Sequence, residues 1–323
     1  IPNPQSPIPN PQSPKIKLNL FLGLIGYYFN FIFYIKIFIK SLFKKMEFNN
    51  FVFPAPKFEY HLLEILKEKM IFIPSKDNNY IPCLFLHNKN EISKNFIIFF
   101  HGNAEDIFYS NEMAKALQQI TNMNVIIVEY PGYSIYKGEP NSTKILENTT
   151  IVYDFIKKQF NLEDNNMFVF GRSIGTSPAI YLTSVRKPNA LFVVSSFTSI
   201  RAVAGNIVGP LKYLLKQRFT SEEYIKNITC PIFFVHGKSD PLIPYTETIA
   251  LTQICKSKYE LLTPPHMTHN DFDLYEDIIE PIQKFIENNC TIDNGKINLD
   301  EFKNDIDKLH KMPEEIELYI KEK

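Results

Sequence analysis

The sequence predicts an α/β fold, with a mostly parallel central sheet and helices on both faces. Three observations carry that expectation. From about Met70 onward, short apolar runs alternate with helix-length segments, and such alternation builds a parallel sheet covered by helices. The runs are continuous in apolar character, as strands buried on both faces are. One of them leads straight into a Gly-x-Ser-x-Gly pentapeptide followed by a helical segment.

The predicted strands are MIFIP (Met70–Pro74), NFIIFF (Asn95–Phe100), NVIIVEY (Asn124–Tyr130), MFVF (Met167–Phe170), LFVVSSF (Leu191–Phe197), PIFFVHG (Pro231–Gly237) and YELLTP (Tyr259–Pro264). Between them lie NEMAKALQQI, STKILENTTIVYDFIKKQF and TETIALTQICKS, read as helices, the second opening on Ser142 as its cap. Sites in such sheets form at the carboxyl ends of the strands.

Upstream of this region the chain changes character. IPNPQSP occurs twice in succession, and this proline-rich repeat, residues 1–17 with its flank, has no apolar periodicity with which to pack a core. Leu18 to Ile35 is uncharged and long enough to cross a bilayer, so residues 18–45 are expected to form a membrane-anchor helix. Lys36, Lys40, Lys44 and Lys45 follow it, against Lys15 and Lys17 before it. By the positive-inside rule the downstream domain, residues 48–289, then faces the cytoplasm, single-pass or peripheral. A chain beginning at its first methionine, Met46, would instead be cytosolic. Residues 290–323 are expected to form a helical C-terminal tail.

Composition narrows the function. Lys plus Arg and Asp plus Glu both number 35, so a nucleic-acid partner has no electrostatic support. Cys83, Cys230, Cys255 and Cys290 are scattered, matching neither zinc nor redox spacing, and are expected to be free thiols in a reducing compartment.

Gly171-Arg172-Ser173-Ile174-Gly175 follows the strand MFVF and precedes a helical run from Thr176 to Val185. This is the setting of a nucleophile elbow, in which serine occupies a strained turn and the flanking glycines leave room for it. A serine hydroxyl needs a base, and the base an anionic orienter. In the α/β-hydrolase fold they follow in the order Ser, acid, His. Asp240 lies just past the strand PIFFVHG, and His266 and His269 lie past YELLTP. His269 is preferred as the base because it stands before the amphipathic run DFDLYEDIIEPIQKFI, where it is expected at a helix start. His266, after two prolines, reads as an exposed loop residue and His236 as a core histidine. No metal site is expected, since the H-x-x-H pair lacks carboxylates at ligand spacing, and no cofactor is expected. His101-Gly102-Asn103-Ala104, after NFIIFF, can present a backbone N–H at Asn103 to an oxyanion, paired with that of Ile174. Each such donor is typically worth about 3–4 kcal/mol in the transition state.

At this point HGNAEDI (His101–Ile107), GRSIGTSPA (Gly171–Ala179), HGKSDPLIP (His236–Pro244) and HNDFDLY (His269–Tyr275) together resemble α/β-hydrolase domain-containing protein 17, a group of depalmitoylating serine hydrolases. FPAPKFEY (Phe53–Tyr60) resembles that group as well, and the likeness runs from about Phe48 to Asn289. It implies Ser173 as nucleophile, Asp240 as acid and His269 as base. Two features depart from the group. No cysteine precedes Cys83 to be acylated, and Arg172 stands where glutamine is expected. The apolar anchor also gives the chain a resemblance to α/β-hydrolase domain-containing protein 13, a single-pass relative.

The expected reaction is hydrolysis of an acyl ester or thioester, with S-acylated (palmitoylated) membrane proteins as the leading substrates. Only Thr198 to Thr229 is available as a cap, so the cap should be small and the pocket open. Lipase or carboxylesterase activity, aminopeptidase-like activity and a non-catalytic membrane-tethered interaction module are the alternatives. In the tail, DNGKINLDEF echoes half of an EF-hand loop, but Cys290 and Ile292 fall at its first and third ligand positions. It is read as a capping loop before a charged amphipathic helix.

Overall fold

The computed structural model describes residues 53–76, 79–209 and 217–322. The repeat and the apolar anchor segment lie outside the described residues, as do residues 210–216 of the cap region. All the described residues belong to one compact unit, Asn49–Lys323. Among the described residues no helix is long and apolar enough to cross a membrane.

Among the described residues there are ten strands: β1 (Met70–Pro74), β2 (Tyr80–Leu86), β3 (Ile92–Ser93), β4 (Phe96–Phe100), β5 (Asn124–Val128), β6 (Met167–Arg172), β7 (Ala190–Val194), β8 (Ile232–Val235), β9 (Tyr259–Leu262) and β10 (Lys296–Ile297). Eight form one sheet in the order β1-β2-β5-β4-β6-β7-β8-β9. Strand β2 runs antiparallel to both neighbours and the remaining pairs are parallel. This is the mostly parallel sheet of the α/β-hydrolase fold.

Each apolar run read from the sequence is a strand; β2 is the one strand of the eight-stranded sheet that those runs miss, and they also miss the two-residue pair β3 and β10. In β2, Pro82 argues against a sheet interior, where proline removes a ladder donor. The register shows how it is accommodated. Pairing with β5 starts at Cys83 opposite Val128, so Pro82 lies one residue outside it, and its carbonyl still accepts from the Glu129 N–H at 3.1 Å.

Continuous apolar strands follow from burial on both faces. Phe96, Ile98 and Phe100 of β4, with Met167 and Val169 of β6, join one core layer; Ile97, Phe99, Phe168 and Phe170 join the other. The first layer is covered by α3 (Ser142–Gln159), α4 (Thr176–Val185) and α8 (Leu299–His310). The second is covered by α1 (Tyr60–Leu66), α2 (Asn111–Thr121), α7 (Glu280–Asn289) and α9 (Glu314–Glu322). Two further helices are α5 (Ile200–Val208) and α6 (Thr246–Ile254), with a single helical turn at Ser221–Tyr224 between them. Phenylalanines fill the layers: the Phe99 and Phe170 rings stack across β4 and β6 at 4.4 Å.

Helix α3 corrects one expectation. Its N-cap is Asn141, not Ser142: the Asn141 side chain accepts from the N–H groups of Thr143 and Lys144, while Ser142 already has a place in the helix. Asparagine in extended backbone is a strong cap, so the boundary moves by one residue.

The residues after Asn289 are bound into the core. β10 pairs with β3, and Phe302 of α8 packs its ring against Phe85, Phe160 and His87. Asn95, Asn166 and Asn189 donate across to Asp293 and Thr291. The EF-hand-like stretch is a turn and cap: Asp293 Oδ1 accepts from the Gly295 N–H, and the Asn298 side chain caps α8.

Candidate active site

Ser173 immediately follows β6 and has φ +52°, a left-handed conformation that a non-glycine residue holds only when its surroundings enforce it. The enforcement comes from the glycines. A Cβ on Gly171 would lie 2.4 Å from the Gly175 carbonyl oxygen, and one on Gly175 would lie 2.2 Å from that of Phe100 at the end of β4. The turn therefore nests against the neighbouring strand, and a short 3₁₀ turn, Ser173–Gly175, leads into α4.

The three residues proposed from the sequence converge. Ser173 Oγ lies 2.9 Å from His269 Nε2, and His269 Nδ1 lies 2.7 Å from Asp240 Oδ2. A carboxylate only accepts, so the Nδ1 proton is donated to Asp240. That leaves Nε2 with a lone pair facing the serine hydroxyl. Asp240 Oδ1 accepts from the N–H groups of Leu242 and Ile243, each at 2.9 Å. Burial alone would push the Asp240 carboxyl up. Hydrogen bonds from His236, His269 and the Ile243 N–H outweigh it and hold the group well below the usual carboxylate range. All three residues are buried.

His269 does not stand at a helix start. The helical backbone begins at Leu274, with Asp273 accepting from the Tyr275 and Glu276 N–H groups. Asp273 is the better cap, so His269 falls in an irregular loop upstream of it. His266 points away to Asp277 at 3.0 Å, with most of its side chain exposed. His236 is buried, with Nε2 donating to the Ile243 carbonyl and Nδ1 against the Thr248 hydroxyl.

The loop after β4 carries the candidate oxyanion donor. The Asn103 side chain accepts from the Tyr133 hydroxyl at 2.8 Å, and Ala104 turns the chain with φ +56°. Beneath it lies a buried polar group that sequence reasoning missed. His101 Nε2 is 3.1 Å from Glu129, the Tyr130 hydroxyl donates to the His101 carbonyl, and Glu129 also accepts from Ser134. Burial, reinforced by the Glu129 charge, raises the Asp106 carboxyl beside them to about 6. No local pattern marks this group, because its members come from two loops distant in sequence, those after β4 and β5.

Arg172, noted in the sequence only as a departure, is also buried at the site. It forms an ion pair with Glu105 and donates through Nη2 to the His269 carbonyl and to Asn270 Oδ1. Burial lowers its pKa and the Asp240 charge raises it back in part. Even so lowered, guanidinium keeps its proton near neutrality. The four cysteines are free, and burial pushes the Cys230 thiol up to about 12, which makes it a poor nucleophile.

No protein-family model matches the chain. Among curated proteins, it is 28% identical over 191 residues to α/β-hydrolase domain-containing protein aho-3 of Caenorhabditis elegans, covering 59% of this chain and 57% of that protein. It is 26% identical over 208 residues to human α/β-hydrolase domain-containing protein 17B, covering 64% and 71%, and 25% identical over 228 residues to mouse protein 17C, covering 71% and 70%. Among solved structures, a Pyrococcus furiosus esterase superposes with TM-score 0.60 at 16% identity, over 73% of this chain and 98% of that one. A cold-adapted esterase from an Arctic metagenomic library gives 0.55 at 13%, over 69% and 93%. At these identities the structural likeness speaks to the fold alone. The chain has the α/β-hydrolase fold, and its sequence is similar to that of α/β-hydrolase domain-containing proteins 17B and 17C.

Proposed function

We propose that this chain is a serine hydrolase that cleaves acyl esters or thioesters, with S-palmitoylated membrane proteins as its leading substrates. The observation that carries the chemistry is the strained Ser173 with its hydroxyl 2.9 Å from the His269 lone pair. Relatives named as α/β-hydrolases and structural neighbours named as esterases support a hydrolase. Resemblance to the depalmitoylating group supports the thioester.

In the proposed reaction His269 Nε2 takes the Ser173 proton as Oγ bonds to the acyl carbon. Backbone N–H groups of Asn103 and Ile174 hold the resulting oxyanion. Collapse breaks the bond to sulfur or oxygen, and the leaving group takes the proton from His269. Water, deprotonated by His269, then attacks the acyl-enzyme and releases the acid, restoring Ser173. Asp240 keeps the imidazole in the required tautomer throughout. The same machinery serves a lipase, a carboxylesterase or an aminopeptidase-like enzyme, which differ only in the acyl donor. The apolar Leu18–Ile35 stretch with lysines after it supports action at the cytoplasmic face of a membrane.

The test is fluorophosphonate labelling followed by a substrate panel. Wild type should label and Ser173→Ala should not; labelling that persists in the variant, or absent labelling of wild type, favours a non-catalytic interaction module. Palmitoyl thioester should then turn over faster than glycerolipid or aminoacyl amide. Turnover of aminoacyl amides alone would overturn the thioesterase assignment.

A further inference from the structure

Three loops meet at the candidate site, and one side chain touches two of them from inside the third. Arg172 is the residue between Gly171 and Ser173, its backbone paired with Val194 at the last rung of β6. Only 7% of it is exposed. On one side its Nη1 contacts Glu105 in the loop after β4. On the other its Nη2 donates to the His269 carbonyl at 2.8 Å and to Asn270 Oδ1 at 2.9 Å. The Phe272 ring lies 5.5 Å from the guanidinium carbon, closing the pocket around it.

Glu105 extends the connection. Its Oε2 accepts from the Gly102 N–H at 3.2 Å and from the Ser110 hydroxyl at 3.1 Å, and Gly102 immediately precedes Asn103. A Cβ on Gly102 would lie 2.9 Å from Glu105 Oε1 and 3.0 Å from Arg172 Nη1, so the glycine backbone packs directly on the ion pair. A chain of contacts thus runs from the candidate oxyanion loop, through Glu105 and Arg172, to the backbone of the candidate base.

We infer that Arg172 is a positioning residue: its guanidinium, shared between Glu105 and the His269 carbonyl, sets the oxyanion loop and the base loop in register with Ser173. The inference rests on the proposed serine-hydrolase chemistry. A planar fork suits the task, because guanidinium donates in several fixed directions at once, whereas an ammonium is a point charge. Neither loop has regular structure of its own to hold it: His269 lies in an irregular segment, and Gly102 to Ala104 in a turn. The cation also stands close enough to Asp240 for the two charges to interact. Removing it should make protonation of the site easier.

The test compares wild type, Arg172→Gln, Arg172→Lys, Glu105→Gln and Ser173→Ala on an acyl thioester. Arg172→Gln should lower kcat about 10–100-fold while KM changes less than about threefold, the size expected from displaced catalytic groups. The acidic limb of its pH–rate profile should move to higher pH. Arg172→Lys keeps the charge and loses the fork, so the limb should stay near wild type while kcat falls. Glu105→Gln should lower kcat with little change in KM. Fluorophosphonate labelling is read as a rate constant, which does not depend on the fraction of protein folded. If Arg172→Gln yields no folded protein, Glu105→Gln decides, with its melting temperature measured beside it. A kcat within twofold of wild type and an unmoved pH profile in Arg172→Gln, or in Glu105→Gln where that variant decides, overturns the inference. An active Ser173→Ala overturns the underlying assignment instead; an inactive one beside a fully active Arg172→Gln overturns only the role of Arg172.

Discussion

Gly237 and Met267 touch backbone to backbone: a Cβ on Gly237 would lie 2.0 Å from the Met267 carbonyl oxygen. The loop carrying Asp240 and the loop carrying His269 close on each other there. Ser239 N–H donates to the same carbonyl at 3.2 Å, and Lys238 N–H to that of Pro264 at 3.1 Å. Gly237→Ala should therefore push the two loops apart. We expect kcat/KM to fall roughly 100-fold and stability to fall by about 1–3 kcal/mol. Chemical denaturation and turnover assays check both; an alanine variant with wild-type activity would show that the loops move independently.

Asp240→Asn should cost far more activity than stability. The amide would present a donor where His269 Nδ1–H now finds an acceptor at 2.7 Å, favouring the wrong imidazole tautomer. The expected loss in kcat is about 10⁴-fold, as for an orienting aspartate elsewhere. Circular dichroism should show a folded protein.

Asp106 makes stability depend on pH. Its carboxyl is raised from 3.8 to about 6, chiefly by burial and next by the Glu129 charge. The folded state therefore holds this proton more tightly than the unfolded chain. Its contribution is fully present below about pH 4 and is lost as pH rises through about 6. Asp106→Asn keeps an acceptor for the Phe108 and Tyr109 N–H groups, each now at 3.0 Å. The variant should exceed wild type by roughly 1–3 kcal/mol at pH 8 and converge on it near pH 4. Denaturant midpoints at the two pH values measure this, and a pH-independent difference would contradict it.

Phe302→Ala should separate fold from chemistry. The ring is buried against Phe85, Phe160 and His87, and its loss leaves a cavity under α8. A cost of about 3–5 kcal/mol is expected. The fluorophosphonate labelling rate at low temperature should be unchanged. A negligible loss would mean that the last helices merely lie against the domain.

The strands and the elbow were legible for a physical reason. A strand buried on both faces has to be apolar at every position, and a serine in a left-handed turn needs glycines around it. Both demands leave marks within a few consecutive residues. β2 carries a weaker mark because Pro82 breaks the pattern, and only the staggered register with β5 shows why it is tolerated. The cap of α3 was misplaced by one residue because Asn141 and Ser142 are both good capping residues, and backbone conformation chooses between them.

By itself, the sequence determined the sheet order's raw material, the elbow, and the order Ser173, Asp240, His269 along the chain. What it could not determine is which groups meet across loops distant in sequence. The burial of His101, Glu129 and Asp106 together, the contact of Gly237 with Met267, and the double hold of Arg172 on Glu105 and His269 arise only when β4, β5, β6, β8 and β9 bring their carboxyl ends to one edge. Local patterns encode local sterics, whereas ion pairs and close backbone approaches depend on distances that only the packed sheet defines.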